Sequence, residues 1–342
     1  MHECQRSYCQ NCIVKPKRRE NSVKNYQLCQ NMKKNSHILP YAALAIAMLA
    51  WGFSFIFTKV ALTGFSTYSL VFFRFSITAL FFIGLLLKKG FPRLSLKNHL
   101  RLFVIGLFQP WLYFLFETNG LQYTTASKAS LITATIPIGV LLLSVAFLKE
   151  KPKFNQVAGI ALSITGMAIL IGGDPGFQWD MNQGMMGDFL ILGAVVSASI
   201  FTVLIRSAGQ YLSTVDITGI QVIWGAILFA PEFFWEYPSI DWSLVTFYPI
   251  LAIAGLCLFA TIGAFLCFNF ALSKIEAVKA SVFLNGIPVV TAIGAWLILD
   301  ESLTWIQLFG GAIILIAVYL ANLKKSRQKS ALNLQGKIAQ DG

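Results

Sequence analysis

Residues 121–161, LQYTTASKASLITATIPIGVLLLSVAFLKEKPKFNQVAGIA, decide the fold once they are set against residues 272–312, LSKIEAVKASVFLNGIPVVTAIGAWLILDESLTWIQLFGGA. Pairing residue n with residue n + 151 needs no gap, and the matches include Lys128 with Lys279, Pro137 with Pro288, Glu150 with Glu301 and Gln156 with Gln307. Leu121 with Leu272, Ala126 with Ala277, Ala129 with Ala280, Ser130 with Ser281, Gly159 with Gly310 and Ala161 with Ala312 fall in the same register. An apolar bias by itself matches leucines and alanines. It does not align Lys, Pro, Glu and Gln at one offset, so the chain is read as a duplication.

Working outward, both copies lie in chain that water cannot hold. Of 342 residues 56% are hydrophobic, only 12% are charged, 29 are phenylalanine and the mean hydropathy is +0.67. A span of the hydrocarbon core takes roughly 20 residues, and ten stretches satisfy that length, the first at 39–62 and the last at 303–323. The expectation is an all-α integral membrane protein of ten transmembrane helices arranged as two inverted five-helix repeats, 38–172 and 187–323. Five is odd, so the second repeat must enter the membrane from the opposite side.

Charge placement agrees with that threading. A formal charge of +12 on a soluble chain would suggest nucleic acid. Here 24 of the 27 basic residues fall in the tails and loops of one side, and the other three, Lys59, Arg74 and Lys128, lie within spans. The opposite loops carry acids, among them Asp174, Asp180, Glu232, Glu236 and Asp241. By the positive-inside rule both termini are expected in the cytoplasm, in a multi-pass protein of the cell (inner) membrane, and no nucleic-acid partner is expected. The repeat records the inversion locally: Lys149-Glu150-Lys151-Pro152-Lys153 becomes Asp300-Glu301-Ser302-Leu303-Thr304, keeping the acid and shedding every lysine.

Residues 1–37 form a polar basic tail, and 324–342 a second basic tail. Four of the six cysteines, Cys4, Cys9, Cys12 and Cys29, lie in the first tail without the paired spacing of a zinc site, so no metal or cofactor is expected. Met32-Lys33-Lys34 ahead of an apolar span reads as an ordinary start of translation, which would leave residues 1–31 untranslated.

With these features in hand, residues 39–322 resemble the drug/metabolite transporter superfamily, and within it the EamA-type permeases with ten helices. The pieces are Trp51-Gly52 with the aromatic stretch to Lys59, Arg74-Phe75, the run Gly120 to Ser130, and the Pro137 and Pro288 helices leading to Glu turns and to Gly159 and Gly310. The second half departs from the first where Ala198 stands in place of Gly52 with no Trp before it. The resemblance implies movement of small metabolites through a central cavity between two bundles.

Ionisable groups within spans are costly, roughly 2.5–3.5 kcal/mol at mid-helix, and are functional candidates by default. Glu117, read as the only acid well inside a span, is suited to binding a substrate or a proton; a fixed ion pair with Arg74 or Lys128 is the structural alternative. Arg74 is expected to bind an anionic group or to pair with Glu117. Lys128 and Lys279 hold equivalent places and are candidates for opposite gates, although a lysine near a boundary is more simply read as reaching headgroups. Trp51, Tyr113, Asn119, Asn269 and Asn285 are expected as cavity walls, with interhelical packing as the alternative. Pro137 and Pro288 interrupt helical bonding at matching depth and are candidate hinges, and Gln109-Pro110 is expected to bend the third span.

No Walker loop, HExxH motif or nucleophile with a histidine partner is present. The expected function is a secondary transporter moving a small polar metabolite, with an amino acid or related compound preferred, by alternating access coupled to protons. The other readings are an intramembrane lipid-modifying enzyme and a non-transporting receptor or assembly partner. Membrane lipid and the small-molecule substrate are the expected partners.

Overall fold

Apolar runs of this length fold as helices because lipid offers no hydrogen bonds, so each peptide N–H and C=O must be satisfied within its own segment. The computed structural model describes residues 19–92, 94–148, 154–173, 183–208, 213–274, 284 and 286–322. Regular structure among them is helical throughout: α1 (Arg19–Ala61), α2 (Thr67–Lys89), α3 (Leu96–Tyr123), α4 (Ala126–Thr133), α5 (Ile136–Leu148) and α6 (Phe154–Gly172). It continues with α7 (Gln183–Ala208), α8 (Thr214–Glu236), α9 (Phe247–Leu272), α10 (Ile287–Leu299) and α11 (Trp305–Asn322).

Seven described helical segments are long and apolar enough to cross a membrane, and the shorter apolar segments are Val157–Leu170, Ile287–Leu299 and Trp305–Leu320. The chain divides into two units, Met1–Ala42 and Ala43–Gly342. Within the first, residues 19–42 are helical; everything below concerns the second.

Its packing pairs α2 with α8, α6 with α11, the end of α3 with α7, and α4 with α10. One core holds Phe75, Phe82, Phe114, Phe229, Leu256 and Phe265, all essentially removed from the surface. Lipid is as apolar as leucine, so it is close packing and polar contacts, not escape from water, that hold such helices together. At the α6–α11 crossing Gly166 and Gly310 let the backbones meet: a Cβ on Gly310 would lie 2.7 Å from the Leu170 nitrogen and 2.8 Å from the Gly166 oxygen.

Corresponding places in the two halves take the same local form. α2 and α8 are both 23 residues long and begin after Ser66 and Ser213. α5 and α10 both carry proline at their second position, Pro137 and Pro288, where the missing N–H would have no helical acceptor in any case. α3 and α9 are each irregular at corresponding places, α3 by a kink within Leu107–Leu112 and α9 by a stretch of wider π turns, Leu256–Gly263. Residues 107–112 plus 151 are 258–263, inside the second stretch. The bend expected at Gln109-Pro110 is a true break: Gln109 has φ −148° and ψ 116°, extended rather than helical, as a residue before proline prefers.

Candidate functional site

The breaks leave room at the centre. α1 supplies Trp51, Ser54 and Phe55 to the wall of a cavity, α2 Arg74, and α3 Gln109, Tyr113, Phe114 and Glu117. The α4–α5 break adds Thr133, Ala134, Ile136 and Pro137, and α7 adds Ala198, Phe201 and Thr202. Phe268, Leu284 and Ile287 complete the lining. The wall is mainly aromatic and aliphatic with a few convergent polar groups, the usual make-up of a small-molecule site.

Two of those groups are ionisable and almost wholly buried: Arg74 is 1% exposed and Glu117 is 1% exposed. Arg74 donates from Nε to the Thr261 hydroxyl at 2.8 Å, and its guanidinium carbon lies 4.3 Å from the Phe114 ring centroid. A desolvated contact of that kind contributes roughly 2 kcal/mol. Its Nη2 has no partner among the described residues. Glu117 receives one long hydrogen bond, from the Thr118 hydroxyl at 3.4 Å. Among the described residues no ion pair joins Arg74 to Glu117, so the fixed pair entertained from sequence is not formed. A guanidinium with a spare N–H and a carboxylate with spare lone pairs therefore border the same space, each short of the partner that burial demands.

The other lining residues are held in place. Trp51 donates from Nε1 to the Ala260 carbonyl at 3.1 Å and meets Phe265 and Phe268 edge to face. Ser54 donates its hydroxyl to the Trp51 carbonyl at 2.7 Å. Tyr113 packs edge to face on Phe114.

Several sequence candidates lie elsewhere. Asn119 turns its side chain back to the Leu115 carbonyl at 2.7 Å, and Asn269 donates to the Thr218 hydroxyl at 2.9 Å, so both are helix-packing groups and not cavity walls. Lys128 is 3% exposed and its ammonium sits 2.7 Å from Asp188, whose other oxygen accepts from the Thr124 hydroxyl at 2.8 Å. Headgroup anchoring of Lys128 is thereby corrected to a buried ion pair, which requires a second buried acid that the sequence reading had passed over. Asp188 stands in the second turn of α7, and its sequence position looks like a span boundary. Pro137 lines the cavity at the α4–α5 break, while Pro288 opens α10 beside it in sequence to the lining residue Ile287. Lys279 and Asn285 lie outside the described residues.

Sequence reasoning also missed the role of Glu301. Its carboxylate accepts from the backbone N–H groups of Ala126 and Ser127, both at 3.1 Å, and from the Ser127 hydroxyl at 3.2 Å, closing the N-terminus of α4 from the other half of the chain. Retention of this acid in the repeat, where every lysine had gone, was the available signal.

The EamA-like transporter family model matches residues 38–172 and again 185–323. The chain belongs to the EamA-like transporter family. Among EamA-type relatives, the uncharacterized transporter YetK of Bacillus subtilis is 28% identical over 290 residues, covering 84% of this chain and 88% of that protein. An uncharacterized transporter of Archaeoglobus fulgidus is 28% identical over 286 residues, covering 83% of this chain and 99% of the relative. A solved crystal structure matches with a TM-score of 0.62 at 18% identity, over 82% of this chain and 96% of its own, a likeness of fold alone. The double match, the apolar helices and the relatives' names make this a multi-pass membrane protein of transporter type.

Proposed function

We propose that this EamA-family protein is a secondary carrier, not an enzyme, and that its cargo is a small zwitterion of the amino-acid type. The observation that carries the reading is the pair Arg74 and Glu117, both 1% exposed on one cavity wall with no direct contact between them. A zwitterion supplies what each lacks: its carboxylate meets the free Nη2 of Arg74, and its ammonium meets the Glu117 carboxylate. The flanking rings of Trp51, Phe55, Phe201 and Phe268 suit a compact apolar body between the two ends. When no cargo is bound, a proton on Glu117 removes the uncompensated charge, which makes cargo and proton alternative occupants and couples their movements.

Alternating access follows from ten spans arranged as two inverted halves. It is supported by the 151-residue offset, the irregular stretches at corresponding places in α3 and α9, and the matched prolines of α5 and α10. The lysine and arginine bias supports cytoplasmic termini for a protein of the inner membrane.

The test is counterflow in proteoliposomes holding the full chain, with a panel of radiolabelled amino acids and anionic and cationic analogues. Exchange of zwitterions in preference to either analogue is expected, abolished by Arg74→Gln. Glu117→Gln should weaken exchange of cargo for cargo, through loss of the ammonium's partner, and abolish uptake driven by a proton gradient. Exchange of no panel member, or an Arg74→Gln variant with unchanged exchange, refutes the assignment.

A further inference from the structure

The π stretch of α9 holds two cavity residues of the first half with two consecutive positions. Ala260 gives its carbonyl to Trp51 at 3.1 Å, and Thr261 gives its hydroxyl oxygen to Arg74 Nε at 2.8 Å while donating to the Leu256 carbonyl, five residues back, at 2.9 Å. Both contacts fall within the stretch of wider turns.

The kink of α3 plays the matching part for the second half. Its Gln109 carbonyl accepts from Gln221 Nε2 at 2.9 Å, and its Phe108 carbonyl from the Ser197 hydroxyl at 2.7 Å. Arg74 and Gln221 are both the eighth residue of their 23-residue helices. Trp51 and Ser197 precede Gly52 and Ala198, the pair already matched between the halves. Four hydrogen bonds thus form two crossed clasps, in which the first two helices of each half grip the irregular stretch of the other half's third helix. Recurrence at equivalent places argues that the clasp is built into the architecture.

We infer that Thr261 is a positioning residue for Arg74, fixing the guanidinium so that Nη2 faces the cargo. Arginine has rotational freedom along its stem that the Phe114 face restrains only out of plane, at 4.3 Å. The acceptor at Nε sets the in-plane rotation, and with it the direction of the unpartnered Nη2. Only a hydroxyl serves, because one atom must accept from Arg74 and donate to Leu256 at once. The inference rests on the carrier reading for its functional consequence but not for the contact itself.

Two readouts on the full chain separate these. Protein labelled with ¹⁵N-arginine reports hydrogen exchange at Arg74 Nε, assigned by loss of the signal in Arg74→Lys. Slow exchange is expected in wild type and Thr261→Ser, and fast exchange in Thr261→Val and Thr261→Ala. In counterflow with the zwitterionic amino acids, Thr261→Val should raise KM roughly 10-fold or more with kcat within about twofold, as befits loss of a charged hydrogen bond, and Thr261→Ser should restore it. Thr261→Ala carries the same expectation should the valine variant not fold. Slow Nε exchange in Thr261→Val or Thr261→Ala, or fast exchange with unchanged KM, overturns the proposal. Fast exchange in those variants with no amino acid moved by wild type supports the clasp and removes the carrier reading.

Discussion

The Lys128–Asp188 pair offers the sharpest energetic prediction. The two charges are 2.7 Å apart with side chains 3% and 2% exposed. At an effective dielectric of about 20 their attraction is roughly 6 kcal/mol, most of it offset by the desolvation of both groups. Removing one partner keeps the desolvation of the other and forfeits the attraction, so Lys128→Met should cost about 3–5 kcal/mol. Asp188→Asn should fall in the same range, since the amide keeps the hydrogen bond from Thr124 but withdraws the negative charge 2.7 Å from the ammonium. That is a shift of roughly a hundred- to a few-thousand-fold in the folded-to-unfolded ratio. The double variant removes both charges and should lie within about 1–2 kcal/mol of wild type, giving a coupling energy of several kcal/mol. Reversible unfolding by SDS titration in mixed micelles, followed by circular dichroism, measures all four corners of the cycle. Single-variant losses below about 1 kcal/mol that simply add in the double variant would refute the description of this contact as a mutually dependent buried pair.

Three other outcomes follow from separate contacts. Glu301→Ala removes the acceptor that closes α4, leaving the N–H groups of Ala126 and Ser127 open; the loss should be about 1–2 kcal/mol in the same unfolding assay, with faster amide exchange at those two residues. Gly310→Leu forces side-chain atoms against the Gly166 oxygen and the Leu170 nitrogen, and should lower stability by roughly 1–3 kcal/mol or more, whereas Gly84→Leu, where a Cβ meets nothing within 4 Å, should be near neutral. In the loop after α8, Asp241 accepts from the Ser243 N–H and hydroxyl at 3.0 and 2.6 Å, which holds its carboxyl below the ordinary carboxylate range. A lowered folded-state value stabilises the loop above the ordinary Asp pKa and loses that contribution as pH falls through the lowered one. Ser243→Ala should return Asp241 toward the ordinary value in a ¹³C-carboxyl titration.

Much of the helical layout could be read along the chain because lipid imposes a one-dimensional rule. A segment either satisfies its own backbone and is apolar for long enough, or it does not cross. The Gln109-Pro110 break was legible for the same reason, since proline's missing N–H and its ring act on neighbours in sequence. Side-chain partners were not legible. Asn119 and Glu117 stand two residues apart on α3, equally polar in the sequence, yet Asn119 turns to the backbone of its own helix while Glu117 borders the cavity. Lys128 looked like a residue for the interface until α7 brought Asp188 beside it. The contribution of α7 was hidden because one acid near a segment end carries no sign of depth.

The sequence by itself determined that this protein is an apolar helical duplication of membrane-transporter type, because composition, length and register are properties of the chain before it folds. Only tertiary structure decided which polar residues share a space. The kink of α3 and the π stretch of α9 turn carbonyls and a hydroxyl across to the opposite half, and which side chains meet them leaves no mark in composition. Arg74 faces a cavity with an unpaired N–H because Thr261, which is 187 residues away along the chain, takes its Nε. Distances of that kind are fixed by packing, where a helix rotation of one position exchanges a lipid-facing side chain for a buried one.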